Sequence, residues 1–212
     1  TAFMGSTGTG WGESSEYNMT SAGDVQFGSR SFQLKKDYGS AIFTLDDDIQ
    51  GSMGEVFDFG QGFLSPPFFL NPEDKIAGNT AGFTADAREG QKTTKKLGTY
   101  SFDLTLLKDG LVQVTGVLKM PDPSLLKARI LTIDLPTFLT FRGKLIKGDD
   151  VNEFEGSTQT TFTGDEVQGA TLELFPGDSR TEFSIALASC SKVIVNGSRL
   201  VLYAADDGKL SY

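Results

Sequence analysis

The chain has 212 residues, 17 Phe and 5 Tyr against 4 Met and 1 Trp, and 25 Gly and 7 Pro; this is the length of one domain and the punctuation of many short strands, so a helical bundle is excluded. Lys and Arg number 19 against 28 Asp and Glu, a net charge of -9, the wrong sign for nucleic acid or anionic lipid. With no His and a single Cys, imidazole bases, Ser-His-Asp and Cys-His nucleophiles, most zinc sites and an intramolecular disulfide drop out together.

Residues 1–30 are rich in Gly, Ser and Thr with isolated aromatics, a composition that cannot bury enough apolar surface to order itself. They are expected to form an extended arm. The opening Thr-Ala-Phe, without Met, suggests a removed targeting segment and resembles the end of the Ala-Phe motif at plastid cleavage sites in algae of the red lineage. On that resemblance the chain is expected in a plastid, peripheral to the thylakoid membrane. No run of 18 apolar residues is present in the sequence, so no transmembrane helix is expected.

From residue 31 onward the apolar period is two, the signature of strands. Asp46, Asp47 and Asp48 lack the later Gly and Glu of a calcium loop and read as a solvated acidic turn. The stretch 59–70 places Phe59, Phe63, Phe68 and Phe69 around two prolines, too densely for one alternating strand. It is expected either to cap the fold or, with Phe3, Trp11 and Tyr17 of the arm, to dock on a partner protein. Gly78 and Gly82 are expected at a bulge, a sharp bend or a close backbone approach. In 99–107, Tyr100, Phe102, Leu104 and Leu106 share one face, with Ser101, Asp103 and Thr105 on the other. A Gly-containing turn then returns the chain through 111–120 as a hairpin.

Segments 128–136 and 138–148 are expected to pair, as are 156–164 and 167–177. Cys190, in an apolar stretch, reads as a buried inert thiol. Asn196-Gly197 between two apolar runs is the strongest hairpin signal in the chain. Asn18-Met19-Thr20 and Asn196-Gly197-Ser198 match the glycosylation triplet and are given no role. Asp149-Asp150 and Asp206-Asp207 read as exposed turns, and no acid pair suited to general catalysis stands out.

Three pieces of residues 54–145 carry a resemblance to the allene oxide cyclase and dirigent β-barrel superfamily. The stretch 54–75 resembles the family's approach to the barrel. Gly78-Asn79-Thr80-Ala81-Gly82-Phe83-Thr84 is similar to its Gly-x-Thr-Ala-Gly-x-Cys strand. Residues 98–118 are similar to its Tyr-Ser-Phe hairpin with a V-x-G element. The resemblance implies an all-β fold: a single antiparallel barrel over 31–180, with the arm 1–30 before it and a C-terminal hairpin extension over 181–212. It also implies a barrel mouth in which Thr84, Tyr100 and Phe102 would line a site for a hydrophobic small molecule.

Two departures bear on activity. Thr84 stands where the cyclases have Cys, and the stiffer 134–138 replaces a glycine-rich turn. The family's pocket Glu could correspond to Asp46, Asp47, Asp48 or Glu55. The expectation is therefore a noncatalytic barrel without cofactor, serving as a structural or docking subunit of a larger, photosynthetic assembly. The alternatives are an allene oxide cyclase-like isomerase of oxidised fatty acids and a lipid or pigment carrier.

Overall fold

The computed structural model describes residues 2–3, 18–19, 25–27, 30–35, 40–46, 49–58, 64–65, 68–77, 80–88, 95–106, 112–205 and 209–211. Their strands are β1 (Ala2–Phe3), β2 (Asn18–Met19), β3 (Val25–Phe27), β4 (Arg30–Lys35), β5 (Ser40–Asp46), β6 (Ile49–Asp58), β7 (Leu64–Ser65), β8 (Phe68–Ala77), β9 (Thr80–Arg88) and β10 (Lys96–Leu106). There follow β11 (Val112–Lys119), β12 (Ala128–Asp134), β13 (Arg142–Lys147), β14 (Asp150–Glu155), β15 (Thr160–Thr163), β16 (Thr171–Leu174), β17 (Phe183–Ala186), β18 (Cys190–Asn196), β19 (Arg199–Ala204) and β20 (Lys209–Ser211). Single 3-10 turns at Pro123–Leu125 and Gly164–Glu166 are also present among the described residues. Among the described residues no helix is long and apolar enough to cross a membrane.

The all-β, antiparallel class is as the periodicity predicts, but among the described residues the strands do not form the single closed barrel. Pairing among the described residues gives two sheets of 10 strands each, and neither path closes on itself. The first runs β14-β13-β16-β17-β1-β11-β10-β9-β8, with β20 also on β11; the second runs β15-β18-β19-β12-β6-β5-β4-β3-β2, with β7 also on β6. One apolar cluster draws on both, including Phe83, Leu118, Leu145, Leu172 and Ile185 from the first and Phe43, Met53, Leu131, Val193 and Leu202 from the second. Two sheets that share one core satisfy the inward faces without closure. Ring contacts cross between them, as between Phe43 and Phe183 at 6.2 Å.

The hairpin of β10 and β11 has the expected register, with Tyr100 opposite Leu118 and Asp103 opposite Thr115. The hairpin of β18 and β19 is also present, but its loop is Gly197-Ser198, one residue later than expected, closed by Asn196 opposite Arg199. Gly197, at φ 60, supplies the positive φ that the first position of a type II′ turn requires. Rather than extending beyond a barrel, this hairpin lies inside the second sheet between β15 and β12. Its Val193, Val195, Leu200 and Leu202 are fully buried, and that apolar alternation is what draws it into the core.

Two expected pairings are corrected. β12 and β13 lie in different sheets, as do β15 and β16, because the chain crosses the core through 135–141 and again through 164–170. β13 pairs instead with β14 and β16, and β15 with β18. The bulge expected at the glycines of β9 is also absent from the described part: Gly82 pairs in unbroken register with Asp103 and Lys75. Gly78 lies outside the described residues.

Candidate functional site

On β6 exposure alternates strictly, so Ile49, Gly51, Met53, Glu55 and Phe57 all point inward. On β12 the inward positions include Arg129, Leu131 and Ile133. A carboxylate and a guanidinium therefore stand at core positions of adjacent strands. The register sets Leu131 opposite Glu55 and Arg129 opposite Phe57, which makes Glu55 and Arg129 a diagonal pair on the core face. Arg129 is 0% and Glu55 2% exposed. Such burial of charge persists only with near-complete pairing.

That pairing is dense. Arg129 Nε donates to Glu55 Oε2 at 2.9 Å, and Nη2 donates to Oε1 at 2.8 Å while standing 2.7 Å from Oε2. Two further hydrogen bonds reach across to the first sheet. The Tyr100 hydroxyl donates to Glu55 Oε1 at 2.7 Å, and Arg129 Nη1 donates to the Gly116 carbonyl at 3.1 Å. The guanidinium carbon stands 5.5 Å from the Tyr100 ring centre and 5.7 Å from that of Phe57, within range of a cation–π attraction that is strengthened by desolvation.

Gly116 makes the arrangement possible. A Cβ built there would stand 2.6 Å from Arg129 Nη2, 2.7 Å from the Tyr100 hydroxyl and 2.8 Å from Glu55 Oε1. The absent side chain is thus the space the charge cluster occupies. This glycine ends the V-x-G element read in the sequence, and Glu55 is one of the four acids weighed there. Of the other three, Asp46 is ion-paired with Arg180 on the surface, while Asp47 and Asp48 lie outside the described residues.

The predicted small-molecule set is not brought onto one face. Tyr100 is fully buried. Thr84 is half-buried and stands opposite Ser101 and Glu73, and alternation puts it on the face away from Tyr100. Phe102 stands in register with Phe83 and Gly116; Phe83, which is buried, approaches the Tyr100 ring to 5.9 Å.

Of the predicted docking aromatics, Phe3 lies on β1, opposite Val112 of β11 and Ile185 of β17. Phe68 and Phe69 lie on β8, opposite Arg88 and Ala87. Trp11, Tyr17, Phe59 and Phe63 lie outside the described residues. An aromatic that sequence reading did not single out for docking is the most exposed large one described: Phe138, 73% accessible, in a turn closed by Leu139 N–H donating to the Pro136 carbonyl at 2.9 Å. Cys190 is buried, and desolvation pushes its thiol up to about 12.

Arg129 was missed by sequence reading. Its signal was present: a charge at the parity of Leu131 and Ile133, on a strand whose alternation was otherwise apolar. No protein-family model matches the chain, and no curated protein matches it significantly.

Proposed function

We propose that the chain is a noncatalytic β-structured subunit that docks within a larger protein assembly. The observation that supports this most is the set of buried contacts at Glu55, whose two oxygens are held by Arg129 and Tyr100 from the two sheets. A general acid or base needs a proton that can reach substrate, and a carboxylate held by a buried guanidinium and phenol serves to join the sheets. Under this reading the relation to the allene oxide cyclase and dirigent superfamily is one of ancestry in strands and glycines, without the cyclase chemistry. The cysteine position of that family is Thr84 here, on the far side of the sheet from Tyr100. The proposed setting is a photosynthetic complex at the thylakoid surface of a plastid, a reading that the acidic charge suits.

Incubation of the purified protein with an unstable allene oxide should leave the cyclised product racemic, at the spontaneous rate. A single enantiomer would overturn the noncatalytic reading. Prepared under native conditions from its source, the chain should co-migrate with a larger complex, and removal of residues 1–25 should release it. Migration as a free monomer would refute docking.

A further inference from the structure

We propose that β14 is a docking edge, taking up a basic extended segment of a partner protein as an added strand. The proposal rests on the reading of the chain as a docking subunit and gives the chemistry of the partner.

The geometry of the edge follows from its hairpin. β13 and β14 are joined by Gly148-Asp149, with Gly148 at φ 60 and Lys147 opposite Asp150. In a two-residue hairpin the closing pair exchanges main-chain hydrogen bonds, and every second pair thereafter does the same. The Gly156 N–H donating to the Phe141 carbonyl at 2.7 Å continues that series beyond the strand. Asp150, Asn152 and Phe154 therefore face β13 with their backbone groups, while those of Val151, Glu153 and Glu155 point outward. Of these, the Glu155 carbonyl accepts from Thr158 N–H at 3.4 Å. β14 is the end of its sheet among the described residues, so the other outward groups form a template for one more strand.

The side chains select what can pair there. All of β14 is exposed except Phe154, and Val151 is 53% accessible. Asp149, Asp150, Glu153 and Glu155 make the rim acidic. A second copy of the chain is a poor occupant, because two β14 edges side by side would set acids against acids. A strand with Lys or Arg at alternate positions sets them beside Glu153 and Glu155 with opposite charge, and its intervening apolar positions fall on the other face, the side of Phe154. Beside the edge lies a surface depression of about 300 Å³ lined by Arg142, Lys144, Glu153, Phe154, Glu155 and Pro176, a place for one side chain of the added strand. Lys144 stands 3.5 Å from Glu153, whereas Glu155 has no ion-pair partner among the described residues and is the better seat for an incoming cation.

The test uses the full chain and, as probe, a short acetylated peptide of alternating lysine and valine. As control it uses the same peptide N-methylated on the pairing edge. The peptide should slow hydrogen exchange at the Val151 and Glu153 amides, and added salt should weaken it. Val151→Pro removes an outward donor that the hairpin does not use, a change edge strands tolerate. It should weaken binding about tenfold, the scale of a lost main-chain hydrogen bond together with a steric block. Glu153→Lys with Glu155→Lys should do likewise through charge, and it keeps the test valid where the proline variant does not fold. Equal binding of the N-methylated peptide, unchanged binding by both variants, or unaltered exchange at Val151 and Glu153 would overturn the proposal. So would concentration-dependent protection of those amides without peptide, which would mean self-pairing. Any of these with the chain still co-migrating in its complex dismisses the edge alone; a chain found only as free monomer dismisses the docking-subunit reading whatever the peptide does.

Discussion

Replacement of Arg129 by Met leaves Glu55 in the core without its guanidinium. Removing one partner of a buried ion pair costs about 3–5 kcal/mol, since the remaining charge is neither solvated nor paired. The Gly116 carbonyl also loses its donor, adding about 1 kcal/mol. Against a total stability of about 5–15 kcal/mol for a domain, this is a large share. At roughly 2–4 °C per kcal/mol for a chain of this size, the thermal midpoint should fall by on the order of 10 °C. Tyr100→Phe removes only one donor to a carboxylate that keeps Arg129, and should cost about 1–3 kcal/mol. The triple change Glu55→Leu, Arg129→Met and Tyr100→Phe removes every member of the buried set. It should return to within about 1–2 kcal/mol of the original chain or exceed it, as replacement of buried ion pairs by apolar groups does. Urea unfolding, read as a change of midpoint at constant slope, measures all three. A loss below about 1 kcal/mol for Arg129→Met would mean that Glu55 is solvated after all, contrary to the burial argument. A triple variant no better than the single one would show that the cluster does more than join the sheets.

Gly116→Ala should destabilise by at least the 1–3 kcal/mol typical of overpacking, because the three atoms its Cβ would meet are held by hydrogen bonds to one another. Gly148→Ala, at φ 60 with open space around it, should cost only about 1 kcal/mol of backbone strain; equal losses in the two variants would refute the packing argument. Cys190, its thiol raised from 9.0 to about 12 by burial, should resist thiol reagents at a rate set by global unfolding, and rapid labelling of the native chain would refute its placement. Because that thiol ionises more readily unfolded than folded, stability should also decline as the pH rises above 9.0. At Asp178, burial raises the carboxyl, but the nearby polar groups of Thr181, the Arg180 N–H that donates to Oδ1 at 3.0 Å and the Arg142 charge outweigh it and hold it below its ordinary 3.8. Its stabilisation is thus present above pH 3.8 and lost as the pH falls through the lower folded-state value. Asp178→Asn should lower the unfolding midpoint at neutral pH and leave it unchanged in strong acid; a difference that persists in acid would refute the linkage.

Strand content and the faces of individual strands were legible in the amino-acid order, because side-chain parity is local. That Tyr100 and Ser101 take opposite faces follows from period two alone, and the hairpins 99–120 and 190–204 follow from parity joined by a turn. Even the inward placement of Glu55 and Arg129 could be read by extending the parity of Met53 and Phe57, or of Leu131 and Ile133. What parity does not encode is which sheet an inward face belongs to. β12 followed by β13, and β15 followed by β16, have the apolar alternation and short connections of hairpins. Yet the connections 135–141 and 164–170 carry the chain over the core, and both faces are satisfied equally well from either side. The partners of Glu55 lie 45 and 74 residues away, one on the neighbouring strand and one on the facing sheet. Only the stacking of the two sheets brings the Tyr100 hydroxyl, the Gly116 carbonyl and the Arg129 guanidinium around that carboxylate, because burial fixes which residues face the core, while contact between them depends on how the sheets are set against each other.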